Sequence, residues 1–274
     1  MLEKIKYTNS FGETLDFGKD HLFVNENDLR DFTWGIITKN NKIAGFKKGI
    51  VDKTIPIILK CDSEAEGIEL RNRLFEIFEK DIIAQKHGKI HIGDYYMQCY
   101  ITGSQKTNYL FSKDYMTVKV SVQTDFPVWI KETTTMHRLS ASALHDYLDY
   151  PYDYSYDFKN PTALDAINNA DFVGSNFILT IFGGVQNPTL YVGNHKYAVN
   201  VLIPTDAYLI INSMNKTIVL TQPNGEKVNC FNNRDKQSYV FEKIPAGTSI
   251  IASPIDQLRF QLTLLEERSE PKWT

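Results

Sequence analysis

Residues 175–231 read SNFILTIFGGVQNPTLYVGNHKYAVNVLIPTDAYLIINSMNKTIVLTQPNGEKVNCF. Short β-branched and aromatic runs recur here, and each is closed by turn residues: Gly183-Gly184, Gly193-Asn194, and Pro223-Asn224-Gly225-Glu226. No apolar stripe of helical period crosses the stretch. Asn224-Gly225 between two strand-like runs is a hairpin signal, because both residues tolerate positive φ. After Pro245-Ala246-Gly247 comes a last long run, QLRFQLTLLEE. Many short strands with turn chemistry between them predict an antiparallel β-sandwich from about residue 171 to the end.

Upstream the pattern changes. FTWGIIT and TIPIILKC read as strands. A helix is then predicted over about 63–86. Ser63 and Glu66 have the spacing of a capping box, and Leu70, Leu74, Phe75, Phe78 and Ile82 form an apolar stripe. Gly88 is its expected terminator. KIHIGD, YYMQCYIT and MTVKVSVQTD follow. Met116, Val118, Val120 and Val122 alternate with Thr117, Lys119 and Ser121, the period of a half-buried strand, and Pro127 should end it. The expected fold class is mainly β: an α+β N-terminal domain over 1–130 with one principal helix on a sheet, a Tyr/Asp-rich linker over 131–170, and a C-terminal sandwich over 171–274.

Composition narrows the function. The 274 residues are 42% apolar and 23% charged, ordinary for a folded chain. The net charge of −3 gives no cationic excess with which to grip nucleic acid by its phosphates. No apolar run reaches the roughly 20 residues of a bilayer span, and the N-terminus has no signal-peptide core. Cys61, Cys99 and Cys230 are far apart and read as buried thiols of a reducing compartment. His87 and His91 are four apart, yet Gly88 breaks any helix between them. His21, His137, His145 and His195 have no partners at ligand spacing. No nucleophile elbow, phosphate loop or HExxH occurs. The expectation is a non-enzyme with no cofactor and no metal.

Two stretches stand out. KNNKIAGFKKGIVDK, residues 39–53, gathers Lys39, Lys42, Lys47, Lys48 and Lys53 around Ile43 and Phe46. It fits either a solvated hairpin tip or an arm that reaches a protein neighbour, and the apolar Phe46 amid lysines favours the arm. DYLDYPYDYSYDF, residues 146–158, carries Tyr147, Tyr150, Tyr152, Tyr154 and Tyr156. It fits either a self-packing linker or an interface, and its aspartates argue against stacking on a phosphate chain.

QTDFPVWI, YPYDYSYDF, NFILTIFGGVQNPTLYVGNHKYAVNVLI, KTIVLTQPNGEKVNCFNN and IPAGTSII, in this order, resemble the distal tail proteins (Dit) of long-tailed bacteriophages. The resemblance implies a virion component at the tail tip, assembled in the host cytoplasm. Its N-terminal domains would form a homohexameric ring around a DNA channel, with galectin-like sandwiches outside. Its partners would be other copies of itself, the tail tube protein, the tail-associated hub protein, and receptor-binding or baseplate proteins. DNA would only pass through, and no membrane would be involved. Galectins hold sugar with a tryptophan platform and an H-x-N-x-R set. Here His195 is followed by Lys196 and Tyr197, and Trp34, Trp129 and Trp273 lie outside the sandwich core sequence. A lectin activity is therefore not expected. The alternatives are a carbohydrate-binding adhesin acting alone, or the same hub in a contractile tail-like bacteriocin. The interface residues implicated are Lys39, Lys42, Ile43, Phe46, Lys47, Lys48, Tyr150, Tyr152, Tyr154 and Tyr156.

Overall fold

A computed structural model describes residues 3–19, 21–24, 26–107, 114–139 and 163–273. The chain divides into two compact units. One is Met1–Lys131 with Glu267–Thr274, the other Glu132–Glu266. The last eight residues thus return to the first unit, whereas the sequence pattern had run them on with the sandwich.

The first unit is built from β1 (Ile5–Thr8), β2 (Thr14–Phe17), β3 (Leu22–Val24), β4 (Gly35–Lys39), β5 (Lys42–Lys47), β6 (Val51–Lys60), α1 (Glu64–Ala84), β7 (Gly88–Ile92), β8 (Tyr95–Thr107), β9 (Tyr115–Thr124) and the start of β10 (Trp129–Arg138). All its described strand pairs with a printed register are antiparallel. β8 serves two sheets. Residues 95–99 pair with β7, which leads on to β1 and β2, while residues 100–107 pair with β9, which leads on to β6 and β3. The register shifts between Ile101 and Gly103, where β8 leaves one set of neighbours for the other. As predicted, Met116, Val118, Val120 and Val122 are buried, and β9 stops before Pro127.

Helix α1 begins where the sequence placed it. The Ser63 hydroxyl accepts from Glu66 N at 3.3 Å, and a Glu66 carboxylate oxygen accepts from Asp62 N at 3.2 Å. Its end differs from the expectation. Gln85, not Gly88, takes the left-handed cap at φ 52°, and its N–H donates back to carbonyls of the last turn. Gly88 instead opens β7 and is buried, where a Cβ would collide with the Tyr7 hydroxyl and the Asp81 carboxylate. The buried face of α1 is Gly67, Leu70, Leu74, Ile77, Phe78 and Asp81. Phe75 and Ile82, counted in the predicted stripe, are exposed at 58% and 40%. At 100° per residue they fall 80–100° round from Leu74, on the shoulder of the stripe and not at its centre.

Asp81 was not singled out in the sequence, yet it sits on the core side of the helix. Its carboxylate accepts the Tyr7 hydroxyl at 2.5 Å and Ser10 N at 2.7 Å, so it ties α1 to the β1–β2 turn. Burial, then the bond to Asp81, pushes the Tyr7 phenol well above its usual range.

The second unit contains the rest of β10, then β11 (Ala163–Asn169), β12 (Asn176–Phe182), β13 (Val185–Gln186), β14 (Thr189–Val192), β15 (His195–Ala198), β16 (Leu202–Ile203), β17 (Tyr208–Asn212), β18 (Thr217–Thr221), β19 (Lys227–Asn229), β20 (Gly247–Ser253) and β21 (Arg259–Arg268) up to residue 266. One sheet runs β19–β18–β17–β12–β21, the other β11–β20–β14–β15. Phe177, Leu179 and Ile181 of the first sheet meet Leu190, Val192, Tyr197 and Ile251 of the second in one core. This is the expected sandwich, and the only helical turn described within it is Phe231–Asn233. At the β18–β19 hairpin Gly225 alone has positive φ, at 84°. Asn224 stays at negative φ, and its side chain accepts from Glu226 N at 3.0 Å. The turn is a tight one with glycine in the left-handed position, not a two-residue primed turn.

The helix packing predicts a contrast. Phe78→Ala should cost about 3–5 kcal/mol, Ser63→Ala about 1 kcal/mol, and exposed Phe75→Ala within about 0.5 kcal/mol of zero. Urea unfolding of the three variants measures this, and equal losses at Phe75 and Phe78 would contradict the burial described.

Candidate functional site

The first unit carries a β-ribbon that belongs to neither of its sheets. Among the described residues β4 and β5 pair only with each other. Asn40 and Asn41 join them at φ 52° and 59°, the twin left-handed conformation that suits a two-residue hairpin turn. Both strands are exposed along nearly their whole length.

The register sorts the ribbon's side chains. Ile36 stands opposite Phe46, Ile37 opposite Gly45, Thr38 opposite Ile43, and Lys39 opposite Lys42. The step from Gly45 to Ile43 skips Ala44, which is a one-residue bulge. Without it Ile43 and Phe46, three apart, would lie on opposite faces. With it Ile36, Ile43 and Phe46 share one face, while Lys39, Lys42 and Lys47 share the other with Ile37. Ile36, Ile43 and Phe46 are 57–61% exposed. The predicted mixture of apolar residues and lysines is thus resolved into two faces.

Lys48 and Lys53, read from the sequence with the other lysines, belong elsewhere. Lys48 lies at the ribbon's root, with its ammonium 4.6 Å from the centre of the Trp34 ring and 3.3 Å from Pro127 O, to which it donates. Burial lowers its pKa, with Glu267 opposing. Lys53 is on the core side of β6 and buried. It donates to Asp28 O at 2.7 Å and to Asp31 O, clamping the loop that leads into the ribbon. Its pKa is lowered by burial, with Asp28 and Asp31 opposing. Tyr150, Tyr152, Tyr154 and Tyr156 lie outside the described residues.

A second apolar surface runs beside α1. Phe75 and Ile82 form one wall of a groove of about 270 Å³ floored by Ile101, Met116 and Val118, with Arg71, Glu79 and Lys106 at its rim. In the second unit Arg138, Arg259 and Asp256 line a polar cleft of about 360 Å³ beside Gly183 and Gly184. No helix among the described residues is long and apolar enough to cross a membrane. All three cysteines are buried and free, and burial pushes the Cys99 thiol up to about 12.

The histidines are placed by tertiary structure that spacing could not reveal. His87 Nε2 is 3.1 Å from Asp125 Oδ1, and its ring packs on Tyr100. His91 stands in β7 between Lys6 and Tyr96, so the two imidazoles face different neighbours. His137 Nδ1 is 2.6 Å from Asp165 Oδ2, which holds that carboxyl below its usual range. His21, partnerless by spacing, lies within 4.8 Å of donor atoms of Asp62 and Glu66. No catalytic arrangement was singled out in the sequence, and the hairpin is the best-defined candidate site.

No protein-family model and no curated protein matches the chain. Solved structures do. The crystal structure of the phage SPP1 Dit protein aligns over 98% of this chain and 100% of its own, with a TM-score of 0.61 and 12% identity. This chain shares its fold. That structure is described as a paradigm of the hub adsorption apparatus of phages infecting Gram-positive hosts. A chain of the phage P2 baseplate, in its activated conformation with calcium, aligns over 99% of this chain and 100% of its own at a TM-score of 0.63 and 13% identity. The strontium form of that baseplate gives 0.63 and 12%.

His91 yields a pH prediction. Burial, then Lys6 and Lys89, lower its pKa from 6.5 to about 4, and its Nε2 is buried without a partner. The unfolded chain therefore binds this proton more readily, and stability falls as pH drops from about 6.5 towards 4. The loss at full titration is of order 3 kcal/mol, at about 1.4 kcal/mol per unit. Urea unfolding at pH 7 and 4.5 measures it, and His91→Gln should flatten that part of the profile. An unchanged profile would show that the ring is free to charge.

Proposed function

We propose that this chain is a structural hub protein of a phage tail tip, of the Dit type, and that it works as a homohexameric ring. The observation that carries the reading is full-length likeness. Both units, in order, align with a tail hub over nearly all of both chains. The quoted sequence stretches support the same reading. In it, the first unit builds the ring and the second unit forms the outer sandwich; most of β10 and all of β11 fall within the stretch expected as linker, and β11 pairs with β20 of the sandwich. The ring joins the tail tube to the tail-associated hub protein and to receptor-binding or baseplate proteins, and leaves a channel for DNA. The near-neutral charge suits a conduit that must not hold a polyanion. The chemistry asked of the protein is association, not catalysis.

The β4–β5 ribbon is the arm of this hub. Its apolar face of Ile36, Ile43 and Phe46 supplies the centre of a protein interface, and the lysines of the opposite face stay in water. Fixing a lysine-bearing ribbon against DNA in the channel is the weaker alternative. Each ring would then present the cations of six arms, and DNA would be retained.

Two measurements test the proposal. Light scattering of the purified chain should give hexamers or pairs of hexamers. A monomer that binds cell-wall polysaccharide would favour the adhesin instead, with the Arg138–Arg259 cleft as its obvious site. Phe46→Ala should weaken assembly by roughly 2 kcal/mol or more per contact. Its own unfolding free energy should stay within about 0.5 kcal/mol, because the ring is exposed. The triple change of Lys39, Lys42 and Lys47 to alanine should weaken assembly less, since these lysines stand on the face left in water, where a charge contributes only a few tenths of a kcal/mol. A larger effect from the lysines, with assembly intact and DNA ejection impaired, would favour the lumen placement.

A further inference from the structure

The pairing of β3 with β6 sets Leu22 opposite Leu59. His21 therefore falls opposite Lys60, just before the turn into α1 that carries Asp62 and Glu66. His21 O accepts from Lys60 N at 3.0 Å, and His21 Nδ1 lies 3.0 Å from Lys60 O. A carbonyl can only accept, so Nδ1 carries the hydrogen and the ring is held in one orientation. Nε2 then faces Glu66 Oε1 at 3.1 Å. A proton on Nε2 makes this contact an ion pair; with that proton displaced, a nitrogen lone pair and a carboxylate oxygen converge on one point, where a cation can take its place. The Asp62 carboxylate completes the set, and one donor atom from each of the three residues lies within 4.8 Å of the others.

We propose that His21, Asp62 and Glu66 form a binding site for one divalent transition cation of the zinc type. Four features fit it. One imidazole and two carboxylates give the ligand number of an open zinc site with a fourth position for water. Tetrahedral ligands at about 2.1 Å lie about 3.4 Å apart, which the His21–Glu66 separation of 3.1 Å already approaches. Asp62 is exposed and can close the rest by side-chain rotation. A ligating histidine commonly donates its other ring N–H to a backbone carbonyl, as His21 does to Lys60. Two carboxylates also neutralise a divalent charge and outweigh the partial positive charge, about half an elementary charge, of the nearby helix end. Calcium fits less well, because it favours six to eight oxygens and this set offers a nitrogen. The bound cation would cross-tie β3 to the start of α1. The site does not depend on the tail-hub reading, since all three ligands come from one chain.

The test uses the full chain, freed of metal by chelation and titrated with Zn2+. One equivalent should bind, and the melting temperature should rise by several degrees at saturating zinc. Asp62→Asn and His21→Gln should each weaken binding roughly 100-fold or more and abolish the rise. Asp62 is exposed and lies outside the core, so its variant keeps the test meaningful should the His21 variant fold poorly. Co2+ as a probe should give a spectrum without thiolate charge transfer. Absence of stoichiometric binding would overturn the proposal. So would affinity unchanged in Asp62→Asn, a thiolate band pointing to a cysteine, or Ca2+ binding with no response to Zn2+.

Discussion

The register of β6 is the constraint on which the first unit depends. This ten-residue strand pairs with β9 along its whole length and with β3 over Ile57–Leu59. Ile55, Ile57 and Leu59 point into the core and are fully buried. A slip of one residue would turn all three outward, at about 1.5–3 kcal/mol for each side chain, so the register is firmly set. Everything placed by it inherits that precision. The ribbon β4–β5 leaves the sheet just before β6, and α1 starts just after it. His21 meets Lys60 because Leu22 meets Leu59.

The same alternation accounts for Lys53. It lies two residues before Ile55 on the inward face, so its ammonium has to be buried. Backbone carbonyls of Asp28 and Asp31 take its hydrogens, and the desolvation still lowers its pKa. The result is a buried cation that fastens the loop from which the ribbon projects. Read in sequence, Lys53 is one more lysine in a basic run. Its different fate follows from a strand period counted from Ile55, a signal that was present but was masked by the neighbouring charges.

What was legible in the sequence was local. The capping box at Ser63, the alternation through Val122 and the turns at Gly193-Asn194 and Asn224-Gly225 depend on neighbours within a few positions, and they appear where expected. What was hidden depended on two distant segments. Gly88 reads as a helix terminator until Tyr7 and Asp81 are seen to occupy the space of its Cβ. Phe75 reads as core until the helix is set on a sheet that reaches only one side of the stripe. Lys48 reads as one more lysine of the basic stretch until Trp34 and Pro127 are placed beside it. For the ribbon itself the sequence supplied the residues and the turn, but not the bulge at Ala44 that sorts them.

On the proposed arm reading, that bulge has a reason. A two-stranded hairpin is marginal in water, since it buries little and its outer edges remain unpaired. A solvated tip with that handicap is best served by polar side chains on both faces. Here a one-residue irregularity, which itself disrupts the ladder, brings Ile43 onto the face of Ile36 and Phe46. The ladder loses regularity and the exposed face gains apolar area, and neither change stabilises the isolated chain. Both become favourable once that face is covered by another protein surface, where each buried aromatic or aliphatic side chain contributes about 1.5–3 kcal/mol. The lysines on the opposite face keep the uncovered side wet and discourage edge-to-edge pairing between free chains before assembly.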